Sequence, residues 1–239
     1  MRFGPLPESL QTTRNSLHQL AFFAVSPARH KVVGRMGLKA TPGGFGTPEY
    51  EGQVSRVDQD LLIYENDAGV ATQTITTIRV ATEFFGNPYE TEWFPDFHDP
   101  LTPADPDVEL IVDPDAANFL GEWFAFGFEA LDKLRGYGVE GDDVSEVQLW
   151  PEHFDAATEL GSSDKRERAS FGASPGDGSH TEPYLYVAAW SEIDRANRYW
   201  NDESFNGSSL GYADLAKSDD PMQTVLDFYL DGHRILHSS

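Results

Sequence analysis

Apolar residues recur at helical spacing in three stretches of the chain. Leu10, Leu17, Leu20, Ala21 and Ala24 follow Ser9, which predicts an N-capped helix limited by Pro27. Ala116, Phe119, Leu120, Trp123, Phe124, Gly127, Ala130, Leu131 and Leu134 form the broadest stripe, with Asp113 and Asp115 at its start and Gly136 at its stop. A third helix opens at Asp220-Pro221, with Met222, Val225, Leu226, Tyr229 and Ile235 toward a core. Strand patterns fill the gaps: Val32 to Ala40, Gln53 to Glu65 closing at Asn66-Asp67-Ala68-Gly69, Val70 to Val80, Val144 to Phe154, Arg168 to Ser174 and Pro183 to Trp190.

These patterns predict an α+β fold, with largely antiparallel sheet covered by helices. One compact domain over residues 1–239 is expected. Its internal halves, about 1–98 and 113–239, each read as one helix followed by three strands, the order an ancient duplication would leave. Between them, Pro95 to Asp115 carries seven acids, five prolines and no basic residue, and reads as a solvated connector.

Charge and composition narrow the function classes. The 239 residues include 40 acids against 17 lysines and arginines, a net charge of −23. That balance argues against nucleic acid and against anionic membrane surfaces, both of which need cations. Thirty aromatic rings supply ample burial for a real core, and the absence of cysteine removes disulfides, thiol catalysis and cysteine-ligated metals. Residues 1–40 hold one acid, Glu8, and six basic residues, so a basic N-terminal element is expected to dock on an acidic body. The longest apolar run near the start, Leu20 to Val25, is six residues, short for an export signal, and a cytoplasmic protein is expected.

Three segments carry a resemblance. Leu149-Trp150-Pro151-Glu152-His153-Phe154-Asp155, Phe171-Gly172-Ala173-Ser174-Pro175-Gly176-Asp177 and Pro183-Tyr184-Leu185-Tyr186-Val187 together resemble the signature of an uncharacterised bacterial family, a domain of unknown function. Similarity continues through Tyr199-Trp200, Leu210, Tyr212, Asp220-Pro221 and Leu226 to Tyr229, and back to Gly37 to Pro42. The resemblance implies no activity, cofactor or catalytic residue.

Several constellations point to chemistry. Gly172-Ala173-Ser174-Pro175-Gly176 fits a G-x-S-x-G elbow, but the residue after the serine must lend its N–H to an oxyanion hole, and Pro175 has none. Asp105, Asp107 and Glu109 alternate as in a calcium loop, yet Leu110 and Ala116 stand where glycine and glutamate are required. Gly43, Gly44 and Gly46 lack the following lysine of a phosphate loop. The densest polar group is His153, Asp155, Asp177, His180 and Glu182: His153 and Asp155 would share one strand face, and the loop from Ser174 to Pro183 would bring the other three. Two imidazoles with carboxylates can hold a divalent metal, the one cofactor the chain hints at, although none is expected by default. In that reading His153 is general base or ligand and Asp155 orients it. Trp150, Tyr184, Tyr186 and Trp200 are candidates to line a small-molecule site.

Three function classes follow. A non-catalytic domain binding a small molecule or a protein partner comes first, because no catalytic motif survives inspection. A metal-dependent hydrolase built on His153, Asp155, Asp177 and His180 is second, and a structural or assembly protein third. Oligomeric state is not legible in the sequence.

Overall fold

A computed structural model describes residues 3–91, 93 and 101–238. The fold is α+β, with two separate antiparallel sheets and no helix, among the described residues, long and apolar enough to cross a membrane. The chain divides into two compact units. One is formed by Leu6–Ala125 with Leu149–Phe154, and the other by the N-terminal residues through Pro5, Phe126–Gln148 and Asp155 onward. These ranges interleave, unlike the two consecutive halves read from the sequence.

The first unit opens with α1 (Leu10–Leu20), a π-helical turn (Ala21–Val25) and α2 (Ser26–Val33). Pro27 therefore does not end the helix. It sits in the first turn of α2, where a missing N–H costs little, directly after the widened π turn. The helix ends instead at Gly34, whose φ of 68° supplies the left-handed cap, and the strand expected from Val32 shrinks to β1 (Lys39–Thr41). β2 (Gly44–Gly46), β3 (Val54–Asp58), β4 (Leu61–Asn66) and β5 (Gly69–Thr74) complete a meander in the order β1-β2-β3-β4-β5. The strand expected to run to Val80 stops at Thr74. Thr77 then accepts from the Val80 N–H and caps α3 (Ile78–Phe84).

The part of the acidic connector at 95–100 lies outside the described residues; the rest is a mostly exposed loop tacked down at a few points. Leu101, Ala104 and Leu110 pack on Phe22, Phe23 and Ile78. Ile111 and Asp113 donate backbone N–H groups to the hydroxyls of Ser16 and Thr13, and Asp107 pairs with Arg79 at 2.6 Å. Among the basic residues of the N-terminal segment, Arg29 donates to the Gly37 carbonyl at 2.7 Å and Lys31 pairs with Glu90.

The long helix α4 (Pro114–Arg135) gives its first turns to this unit and its last turns to the other. Gly121 lets it approach β2, since a Cβ there would stand 2.5 Å from the Gly44 nitrogen. Phe124 packs edge-on with Phe45 and Phe154, forming one centre of the unit's core.

The second unit carries β6 (Asp143–Val144), β8 (Asp155–Gly161), β9 (Ala169–Ser174), β10 (Tyr184–Ala189) and β11 (Gly207–Gly211) in the sheet order β11-β10-β9-β8-β6. β7 (Gln148–Trp150) lies where the chain passes into the first unit, and Leu149 there pairs with Leu38. A short helix, α5 (Tyr212–Leu215), precedes α6 (Pro221–His237). Asp220 caps α6 by accepting from the Gln223 N–H, and Pro221 fills the first helical position. Its buried stripe is Val225, Leu226, Tyr229, Gly232, His233 and Leu236, and the Tyr229 hydroxyl donates to the Gly172 carbonyl on β9 at 2.8 Å. That anchoring fixes the rotation of α6, and with it the direction in which its histidines point.

Candidate metal centre

Two imidazoles at i and i+4 on α6, His233 and His237, face one carboxylate. Each Nε2 lies 2.9 Å from an oxygen of Asp142, His233 on Oδ2 and His237 on Oδ1. The Asp142 side chain is 1% exposed, against 7% for His233 and 20% for His237, so the group is enclosed with a single more open edge. Asp142 is placed by a turn after α4: its Oδ2 accepts the Val139 N–H at 2.9 Å, and Gly141 takes a φ of 99°. Glu167 completes the arrangement, with Oε2 3.5 Å from His237 Nε2.

The hydrogen bonds fix where the protons are. His237 Nδ1 lies 2.9 Å from the His233 carbonyl, which can only accept, so Nδ1 carries a hydrogen. A neutral His237 then turns the lone pair of Nε2 toward Asp142 and Glu167. That geometry needs a cation between them: a proton on Nε2 or a metal ion. Burial opposes protonation of His237, but its bonds to His233 and Asp142, with the charges of Asp142 and Glu167, outweigh burial and hold its pKa above the ordinary imidazole value. Burial likewise opposes ionisation of Asp142, and the donors Val139, His233 and His237 outweigh it, lowering its pKa. Glu167 Oε2 is buried and accepts no hydrogen bond from the described residues. A buried carboxylate oxygen without a donor also calls for positive charge.

The dimensions suit a small metal ion. Zinc bonds of about 2.0–2.1 Å in tetrahedral geometry set ligand atoms about 3.4 Å apart. One ligand atom from each of Asp142, His233 and His237 lies within 4.8 Å of the others, and among the described residues this is the one such group. The backbone carbonyl on Nδ1 of His237 is the outer-shell partner that metal-bound histidines commonly use.

The residues read from the sequence fall elsewhere. His153 is not on a strand with Asp155. The chain turns through Pro151 to Phe154, where Phe154 takes a φ of 56° to bury its ring against Phe45 and Phe124, and the alternation that would align His153 with Asp155 begins only afterward. His153 is exposed and belongs to the first unit, whereas Asp155, Asp177, His180 and Glu182 belong to the second. Three of those four are engaged. Asp155 accepts from the Tyr186 hydroxyl. Asp177 accepts from Tyr184 and from the backbone of Ser179 and His180, and these donors outweigh burial to lower its pKa. His180 bonds Asp202 at 2.9 Å and stacks on Tyr184. Glu182 is exposed.

Of the four aromatic candidates, Tyr184 and Tyr186 stand together on β10 with ring centroids 6.0 Å apart. Trp200 packs on Tyr199 in a different part of the second unit, and Trp150, at the end of β7, is in the first unit. The sequence does hold a signal for this cluster, a His-x-x-x-His spacing on an amphipathic helix. Its carboxylate partner, Asp142, stands 91 residues earlier, and nothing in the chain pattern joins the two. Neither family models, nor curated proteins, nor solved structures give a match to this chain.

Proposed function

We propose that the protein is a metal-dependent hydrolase whose divalent ion is held by Asp142, His233 and His237, with Glu167 beside it as the base. The observation that carries this reading is the fixed hydrogen on Nδ1 of His237, which leaves Nε2 to face two carboxylates. Two imidazoles favour zinc over magnesium or calcium, which prefer all-oxygen sites. Three protein ligands would leave a fourth position for water, the arrangement of catalytic rather than structural zinc. His237 also borders a cleft of about 540 Å³ together with Tyr199 and Asp231. An ion held there would supply an activated water to attack an ester; Glu167 would take one of its protons and return it to the leaving oxygen as that bond breaks with its electron pair.

Calorimetric titration of zinc into chelator-treated protein tests the reading. One zinc per chain is expected, with a Kd below about 1 µM, equivalent to about 8 kcal/mol. His237→Ala and Asp142→Asn should each weaken binding by more than about 100-fold, beyond the usual effect of an outer-shell change. Glu167→Gln should keep zinc and lose ester hydrolysis. Protein that takes up no zinc has an imidazolium–carboxylate cluster and no metal centre. Zinc uptake with no hydrolysis of phosphate or carboxylate esters would return the protein to the binding class expected from its aromatic content.

A further inference from the structure

The chain neighbours of the metal-site residues build a second feature. Lys165 and Arg166 precede Glu167, and Leu236 and Ser238 flank His237. All four line one cleft of about 970 Å³ with Trp200 and Ile193. In a chain with 40 acids and 17 basic residues, most cations of the second unit are already engaged. Lys133, Arg135, Arg168, Lys217 and Arg234 each pair with a carboxylate. Arg195, also on the cleft, is consumed by the carbonyls of Asp202 and Phe205. Lys165 and Arg166 form no ion pair with any described residue, and both are exposed. The rim carries two acids as well: Asp194 is turned to the backbone N–H of Ala196, and Glu192 is exposed.

The backbone here is specialised. Arg166 has a φ of 64°, a left-handed conformation that is unfavourable for a residue with a side chain. It is held by a tight turn in which Arg166 N–H donates to the Ser163 carbonyl and Glu167 N–H to the Ser162 carbonyl at 2.9 Å. A glycine would occupy that position without strain. The arginine thus keeps a guanidinium on the cleft while the next residue reaches the metal-site histidine.

We propose that this cleft binds a small phosphate monoester, with Lys165 and Arg166 on the phosphate and Trp200, Ile193 and Leu236 against its organic body. The assignment rests on the hydrolase reading above and supplies its substrate class. Two adjacent unpaired cations match a dianion better than a singly charged carboxylate, and guanidinium bonds phosphate oxygens in pairs. In the reaction a water oxygen forms a bond to phosphorus and the P–O bond to the organic group breaks. The electron pair goes to the departing oxygen, which takes the water's proton through Glu167, giving an alcohol and inorganic phosphate.

Phenyl phosphate is the probe, titrated calorimetrically into zinc-loaded and zinc-free protein, with benzoate as the carboxylate comparison. Phenyl phosphate is expected to bind at least tenfold tighter than benzoate. Arg166→Gly, which relieves the backbone strain while deleting the charge, should lower its affinity about tenfold without lowering the melting temperature, and adding Lys165→Gln should abolish binding. Unchanged affinity in the double variant overturns the proposal, as does equal affinity for benzoate or no binding to the wild-type chain. The zinc-free arm separates the two readings. Phenyl phosphate bound by a chain that takes up no zinc leaves the anion cleft standing while the hydrolase falls, and zinc uptake with no phenyl phosphate binding does the reverse.

Discussion

His18 offers a direct test of how the first unit treats a buried imidazole. Its Nε2 donates to the carbonyls of Pro151 and Glu152 at 3.0 and 3.1 Å, and its ring lies parallel to that of Phe154 with centroids 5.3 Å apart. Burial outweighs the two carbonyl bonds and brings its pKa from 6.5 down to about 4. Well above pH 6.5, from about pH 7.5, neither the folded nor the unfolded chain protonates this residue, so it adds almost no pH dependence. As pH falls from 6.5 toward 4, the unfolded chain gains a proton that the folded one refuses, and stability is lost. The loss comes to about 2 kcal/mol at pH 5 and levels off at about 3 kcal/mol below pH 4. His18→Gln keeps an N–H donor and removes the titration. Urea unfolding of both proteins at pH 7.5, 6 and 5 isolates the effect, because all other titrating groups cancel in the difference. At pH 7.5 the variant should be less stable by about 1 kcal/mol, from one imperfect hydrogen bond and the lost ring stack. By pH 5 the order should invert, with the variant ahead by about 1 kcal/mol. A stability difference that stays constant from pH 7.5 to 5 refutes the argument.

Further outcomes follow from the second unit's packing. Tyr229→Phe leaves the Gly172 carbonyl without its donor in a fully buried place and should cost about 1–3 kcal/mol in chemical denaturation. Gly127→Ala should destabilise by about 1–2 kcal/mol even though alanine favours helix, because its Cβ would meet that of Ala173 at 2.6 Å; adding Ala173→Gly should restore most of the loss. Thr77→Ala removes the cap of α3 and should lower stability by about 1 kcal/mol, measured by thermal melting. Zinc at about 100 times its Kd should stabilise the second unit by about 2.7 kcal/mol, and His237→Ala should abolish that increment.

The elements legible in the sequence were those whose burial is one-sided. α4 and α6 show stripes because one face is wet, and β3 alternates because Ser55 and Val57 point inward while their neighbours do not. β8 escapes such a reading: six of its seven residues are buried, so no alternation marks it. Thr74 to Thr77 hides the change from strand to helix, because β-branched residues suit both the end of β5 and the cap of α3. For Asp142 and the α6 histidines the obstacle is distance along the chain, since the packing of α6 on the sheet, with Tyr229 bonded to β9, sets the rotation that turns His233 and His237 to Asp142. The Ser162 to Glu167 turn is hidden for another reason: a left-handed arginine is a choice no local pattern predicts.

The interleaved ranges of the two units bear on how the protein is made. A ribosome releases the chain from its N-terminus, yet the first unit cannot close when Ala125 emerges. Phe154, which fills the space between Phe45 and Phe124, and Leu149, which pairs with Leu38, are still to be synthesised. The second unit waits in the opposite sense. Gly4 is made 208 residues before Tyr212, whose hydroxyl is its partner, so it must stay available until that residue has been made. Neither unit is a continuous stretch that could be cut out and expressed alone. A gene split anywhere between codons 6 and 154 therefore leaves at least one fragment without residues its own core requires.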